Sequence, residues 1–312
     1  MLESIIFSAS VTGPIFAMMV VGFVLKRLRW INDEFTQTGS KLVFKLCLPV
    51  LLFLTISKAD PELALNWTLI GCGVAVTLLG WALLHLVAPW VTQARDVGVV
   101  VQGGFRANMG IIGLAYCGSA YGNEGLILAS LYLAVVTLLF NVLSTLSLNW
   151  SLAREGGVLN QVKGMFKNPL IIGITLALPF SFFGWELPEI ARQSGQYLAQ
   201  LCLPLALLCA GASISLNAFK ADAAPTALAC FGKLVMMPII AVVAGVIMKL
   251  PPTSLGVLIM MVSAPTASAS YPMVRAMGGN AVMAANIIGV TMIFGVLSVS
   301  GMLTLLRWLG WV

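Results

Sequence analysis

The chain has 312 residues, of which 60% are apolar and 9% charged, and it carries a formal net charge of +6 with a mean hydropathy of +1.00. A water-soluble domain carries about 25% charged residues, so the composition excludes a soluble globule and points to an integral membrane protein that lies almost wholly in the bilayer. The basic surplus is explained below by topology, and no nucleic-acid partner is expected.

A helix needs about 20 apolar residues to cross the hydrocarbon. Ten segments qualify: residues 5–25, 39–57, 67–90, 97–121, 125–150, 168–184, 196–216, 225–249, 253–277 and 281–308. The first has no basic n-region and runs into Lys26, Arg27 and Arg29, the reverse of a cleavable signal peptide, so it reads as a retained helix. Segment two holds Lys45 four residues before Pro49, on one helical face; Lys45 either snorkels or points into a cavity between helices. His85, the only histidine, lies near one end of segment three and reads as interfacial. Segment four contains GGFRANMGIIG (103–113), with four glycines, Arg106 and Asn108. The connection 151–167 is the longest and leaves no room for a soluble domain. Segment seven carries Gln200, and segment eight carries Lys233, which raises the same question as Lys45. Segment nine ends SAPTASASYPMVRAMGG (263–279). Pro265 lacks an N–H and clashes with the preceding turn, so it should break that helix near its middle. The six cysteines fall in apolar segments without a CxxC pair and read as small buried hydrophobes.

Cytoplasmic loops carry the excess of Lys and Arg. With the N-terminus outside, Lys26, Arg27, Arg29, Lys41, Arg95, Arg154, Lys163, Lys167, Lys220 and Arg275 lie inside and only Lys58, Arg192, Lys249 and Arg307 outside. Both termini are therefore expected to be extracytoplasmic. FKLCLPVLL (44–52) and AQLCLPLAL (199–207) share LCLP, which sets Pro49 over Pro204; AYGNEGLILA (120–129) and MGGNAVMAA (277–285) set Gly122–Asn123 over Gly279–Asn280 at nearly the same offset. Residues 1–150 and 168–312 thus read as two copies of five spans each, the second inverted because five is odd. Inverted repeats with interrupted helices in matching positions mark a secondary transporter whose site lies near the midplane. The fold expected is all-α, with ten transmembrane helices and with broken helices four and nine crossing.

A midspan Arg costs a few kcal/mol. Arg106 either snorkels to the interface or anchors an anion, for which the guanidinium suits a carboxylate bidentately. Asn108 offers donor and acceptor beside a backbone loosened by Gly110 and Gly113, either to a substrate or to a neighbouring helix. Thr266, Ser268, Ser270 and Tyr271 follow Pro265 and complete the candidate site, with Lys45, Gln200 and Gly113 in support. The eleven acidic residues all fall outside the middles of the segments. A cation carrier or proton pump usually needs an intramembrane carboxylate, so an anionic substrate is favoured, with no metal and no cofactor.

At segments four and nine the chain resembles the auxin efflux carrier family, the plant PIN-FORMED carriers and their bacterial relatives described as malonate or malate carriers. NMGIIGLAYCGSAYG (108–122) is similar to the family's fourth helix at Asn108, Gly113, Tyr121 and Gly122, and Pro265 with YPMVRA (271–276) is similar to its ninth. Ala115 stands where the family's fourth-helix Pro would be, so only the second break has a Pro to enforce it. The resemblance implies a scaffold of helices one, two, six and seven, often dimeric, a transport domain of helices three to five and eight to ten that moves as an elevator, and mono- or dicarboxylate substrates. A sodium-coupled organic-anion symporter of the bile-acid carrier type is the alternative. An intramembrane enzyme is disfavoured, since the chain has no HExxH, GxSxG or acid pair in a span. The expected location is the bacterial inner membrane.

Overall fold

The computed structural model describes residues 1–60, 65–152, 168–214 and 222–312. The connection 153–167, with Arg154, Glu155, Lys163 and Lys167, lies outside the described residues, as do Glu62 and Lys220. Among the described residues the structure is helical, without strands: α1 (Leu2–Arg27), α2 (Asp33–Ile56), α3 (Trp67–Val87), α4 (Val97–Phe105), α5 (Leu114–Ser151), α6 (Pro169–Phe183), α7 (Glu189–Ala212), α8 (Ala223–Ile247), α9 (Pro252–Ser263), α10 (Ser270–Ala276) and α11 (Ala281–Trp308). Among the described residues seven helical stretches are long and apolar enough to cross a bilayer, and α6 and α9 are shorter apolar helices.

Local chemistry sets many of the boundaries. Asn32, Asn66, Asn168 and Asn280 each cap a helix, their side chains accepting from Phe35 N, Leu69 N, Leu170 N and Met283 N, as short polar side chains do at N-caps. Pro169 follows Asn168 at the first position of α6, and Gly184 ends that helix in the left-handed region at φ 64°. Gly122 has φ 55° and ψ −134°, inside the stretch Leu114–Ser151. That backbone is open to glycine alone, and it separates the helical ends of segments four and five.

Small residues bring backbones together, as expected where helices pack in lipid. A Cβ on Gly22 of α1 would lie 2.1 Å from Leu208 O of α7, and one on Gly211 of α7 would lie 1.9 Å from Met19 O of α1. On α6, a Cβ at Gly173 would lie 2.7 Å from Pro49 O. Ser8 and Thr12 of α1 hydrogen-bond Ser300 of α11. The outside of the molecule is apolar, with Ile190, Ile247 and Leu297 well exposed, the surface that suits lipid.

The centre belongs to the two short helices. Every residue of α4 from Gly98 to Phe105 is buried, and so is every residue of α9 from Ser254 to Ser263. A helix that stops within the membrane leaves its last carbonyls unpaired, and such ends are tolerated only when protein covers them or they line a cavity. Here the other helices cover them.

Candidate functional site

The chain leaves α4 at Arg106, whose φ −76° and ψ 107° are extended, and leaves α9 at Ala264, with φ −55° and ψ 142°. The two extended segments meet. Ala107 and Thr266 form an isolated antiparallel bridge; Asn108 N donates to Pro265 O at 2.7 Å, and Ala267 N donates to Arg106 O at 3.0 Å. The helix breaks therefore cross, each supplying the backbone partners that the other lost. After the crossing the first chain enters a wide turn, Met109–Gly113, where Asn108 O accepts from Ile112 N and Gly113 N.

Three of the last carbonyls of α4 have partners in the crossing and beside it. Gln102 O accepts from Arg106 N, Gly103 O accepts from Thr266 Oγ1 at 2.6 Å, and Phe105 O accepts from Lys233 Nζ at 3.4 Å. The same Nζ donates to Val262 O of α9 at 2.7 Å. Thr266 N in turn donates to Thr291 Oγ1 of α11 at 3.1 Å. Two close approaches keep the crossing compact: a Cβ on Gly295 would meet Pro265 Cγ at 2.8 Å, and one on Gly113 would meet Met261 Sδ at 2.8 Å.

Side chains complete the site. Arg106 is only 7% exposed. One terminal nitrogen donates to Asn141 Oδ1 at 2.6 Å and the other to Met273 Sδ at 3.2 Å. Gln102, fully buried, also donates to Met273 Sδ. A thioether is a weak acceptor, so one sulfur answers two buried donors poorly. Asn108 is 7% exposed and its Nδ2 is buried without an acceptor among the described residues. Of the described residues that are buried, only Arg106 and Lys233 carry charge, and no described carboxylate lies within ion-pairing distance of either. The described acidic side chains are exposed or half-buried. The site is therefore cationic, rich in donors and short of acceptors.

The sequence expectations sort clearly against this geometry. Arg106, Asn108, Pro265 and Thr266 come together in the crossing, and Gly110 and Gly113 sit in the wide turn beside it. Arg106 is enclosed among side chains and does not snorkel. Ser270 is buried, with its Oγ lacking a partner among the described residues, while Ser268 is half-buried. Tyr271 is turned outward, 36% exposed, its hydroxyl accepting from Arg275 at 3.5 Å. Lys45 and Gln200 are exposed and hydrogen-bond no residue of the crossing. Lys45 lies in a wide turn at Val43–Cys47, where Leu48 N reaches back to Val43 O. Gln102, Asn141, Met273 and Thr291 were missed. The signal that could have found three of them is a lone polar residue inside an apolar span. The six cysteines are buried and unpaired, and His85 packs between Trp81 and Trp150.

A family model described as "Membrane transport protein" matches residues 10–303. An uncharacterized transporter of Methanothermobacter thermautotrophicus is 25% identical over 73% of this chain and 74% of its own length. A protein of Rhizobium meliloti with the provisional name of a malonate transporter is 23% identical over 96% of this chain and 97% of its own. The uncharacterized transporter YfdV of Escherichia coli is 22% identical over 74% of this chain and 76% of its own.

Proposed function

The chain belongs to the membrane transport protein family, that of the auxin efflux carriers, and on that premise we propose that it is a secondary carrier for a small organic anion, a mono- or dicarboxylate. The observation that carries this reading is the charge at the crossing. Of the described buried residues only Arg106 and Lys233 are cationic; Lys233 is answered by the carbonyls of Phe105 and Val262, whereas Arg106 has no described counter-charge and Asn108 Nδ2 lacks an acceptor among the described residues. Burying a cation without a counter-charge is costly, and a carboxylate arriving at the crossing supplies the acceptors that Met273 Sδ supplies weakly. Arg106 binds one carboxylate oxygen pair and Asn108 donates to the same group. The malonate name attached to the Rhizobium meliloti relative supports a short dicarboxylate within this class.

The same geometry supports an elevator mechanism. The ten segments form two inverted five-helix copies, and the antiparallel meeting of their breaks supports that pairing. Because the site is held at a crossing of two half-helix pairs, it can be moved as one body relative to α1, α2, α6 and α7, exposing the bound anion to each side in turn. The protein belongs to this reading in the bacterial inner membrane with both termini extracytoplasmic, on the Lys/Arg bias. With the inside negative, each exported anionic charge gains about 2.3 kcal/mol per 100 mV.

The test is uptake of labelled malonate by proteoliposomes. Asn108→Ala is expected to reduce uptake by about tenfold, while the protein still purifies and melts normally, since Asn108 meets the bridge through its backbone. A fully active Asn108→Ala protein would remove the crossing as the binding site.

A further inference from the structure

Lys233 is fully buried, yet the binding reading above does not require it to touch the substrate. Its ammonium donates to Val262 O at 2.7 Å and to Phe105 O at 3.4 Å. These carbonyls belong to the last turns of α9 and α4, the two helices that stop inside the protein. The C-terminal end of a helix carries about −0.5 of an elementary charge. Two such ends together approximate one negative charge, which one ammonium balances. No described carboxylate lies within ion-pairing distance of Lys233, so the helix ends themselves are its counter-charge.

The approach of α8 to this point is built in at close range. Lys233 stands in a wide turn, Gly232–Met236, five residues ahead of Pro238. A Cβ on Gly232 would lie 2.9 Å from Leu84 Cδ2 and 3.6 Å from Gly104 Cα, so α8 comes against the backbone of α4 at the residue preceding Lys233.

Secondary carriers with broken helices coordinate their coupling cation through unwound carbonyls and half-helix C-termini. We propose that Lys233 is a permanent cation in that position: its ammonium, covalently part of the chain, stands where such carriers hold Na⁺, keeps the two half-helix ends together, and lets the crossing form without a coupling alkali cation. Lys233 acts as a positioning residue, since it holds the backbone from which Arg106 and Asn108 project. The functional arm of this inference rests on the carrier reading above; the physical arm does not.

The experiment compares the purified protein in NaCl and in N-methyl-D-glucamine chloride at matched ionic strength, which holds screening constant. Thermal unfolding and labelled-malonate uptake are measured for the wild type, Lys233→Ala and Lys233→Gln. The wild type is expected to melt at the same temperature in both salts and to take up malonate at equal rates. Lys233→Ala is expected to melt lower and to be stabilised by Na⁺, with uptake down about tenfold or more and partly restored by Na⁺. Lys233→Gln offers these carbonyls a neutral amide N–H from a side chain one bond shorter, and it is expected to fold but to lose uptake by about tenfold in either salt. Stabilisation of the wild type by Na⁺ would overturn the proposal. So would full uptake by Lys233→Gln, or a Lys233→Ala protein indifferent to Na⁺. If no form carries any carboxylate, the carrier reading fails, and the salt dependence of melting still decides the role of Lys233.

Discussion

The two breaks at the centre of this molecule do the same mechanical job with different chemistry. The second is written by Pro265, which cannot donate to the preceding turn and clashes with it. The first has no proline: α4 ends at Phe105 in the run GGFRANMG. It stays open because Asn108 N is taken by Pro265 O, Arg106 O by Ala267 N, and Gly103 O by Thr266 Oγ1. The contrast extends to what each break offers a ligand. The first presents side-chain N–H donors, on Arg106 and Asn108, while the second presents backbone and small hydroxyls. The second break thus has a ring that favours it besides the shared bonds and contributes structure; the first rests on those bonds alone and carries the groups that can bind. A proline at the first break would have held it open locally, without needing the second.

If that division of labour is right, substitutions at the first break should strike binding and those at the second should strike stability. The largest effect is expected from Arg106→Gln. Losing a charged donor to a carboxylate costs about 1.5–3 kcal/mol, about 10- to 100-fold in affinity. Titration of the purified protein should show malonate weakened more than a monocarboxylate of similar size. Equal losses for both would make Arg106 a structural partner of Asn141 and Met273 and break the comparison.

Thr266→Val comes next. It removes the hydroxyl from Gly103 O while keeping the shape, which leaves a buried carbonyl of α4 without that donor; the cost is about 1–3 kcal/mol. Because Thr266 N still reaches Thr291, the segment should hold its place. The expected result is a lower melting temperature with malonate affinity changed less than in Arg106→Gln. A larger loss of affinity than of stability would mean that the hydroxyls of the second break bind substrate directly.

How far these features were legible in the sequence follows from how local each one is. Arg106, Asn108 and Pro265 stand out because each is costly or disruptive in an apolar span, and each proved to be in the crossing. Lys233 was visible as an oddity, but whether a deep lysine snorkels or is enclosed depends on α4 and α9, more than a hundred residues before it and about thirty after it. Gln102, Asn141 and Thr291 are single polar residues that periodicity leaves on no particular side until partners are known. Lys45 and Lys233 look alike in sequence and each lies in a wide turn, yet Lys45 is exposed and Lys233 buried, a difference set by the helices packed against each and not by local pattern. The boundary between segments four and five survived as a single backbone angle at Gly122, in a helix that otherwise reads through.

The smallest effect is expected at Pro265, although the sequence marks it plainly as a helix breaker. Pro265 receives Asn108 N through its carbonyl oxygen, which every residue possesses. Its ring touches Gly295, a contact that alanine would only thin. Since the first break stays open without a proline, the same set of cross-bonds should hold the second open as well. Pro265→Ala should then cost mainly the entropy of a freer unfolded chain, about 0.4–1 kcal/mol, with malonate affinity close to that of the wild type. Melting and titration of this variant beside Thr266→Val give the decisive ranking. Were Pro265→Ala the more damaging of the two, α9 would have run on through residue 265 once the proline was gone, and the crossing would owe its shape to the ring rather than to the bonds between the two breaks.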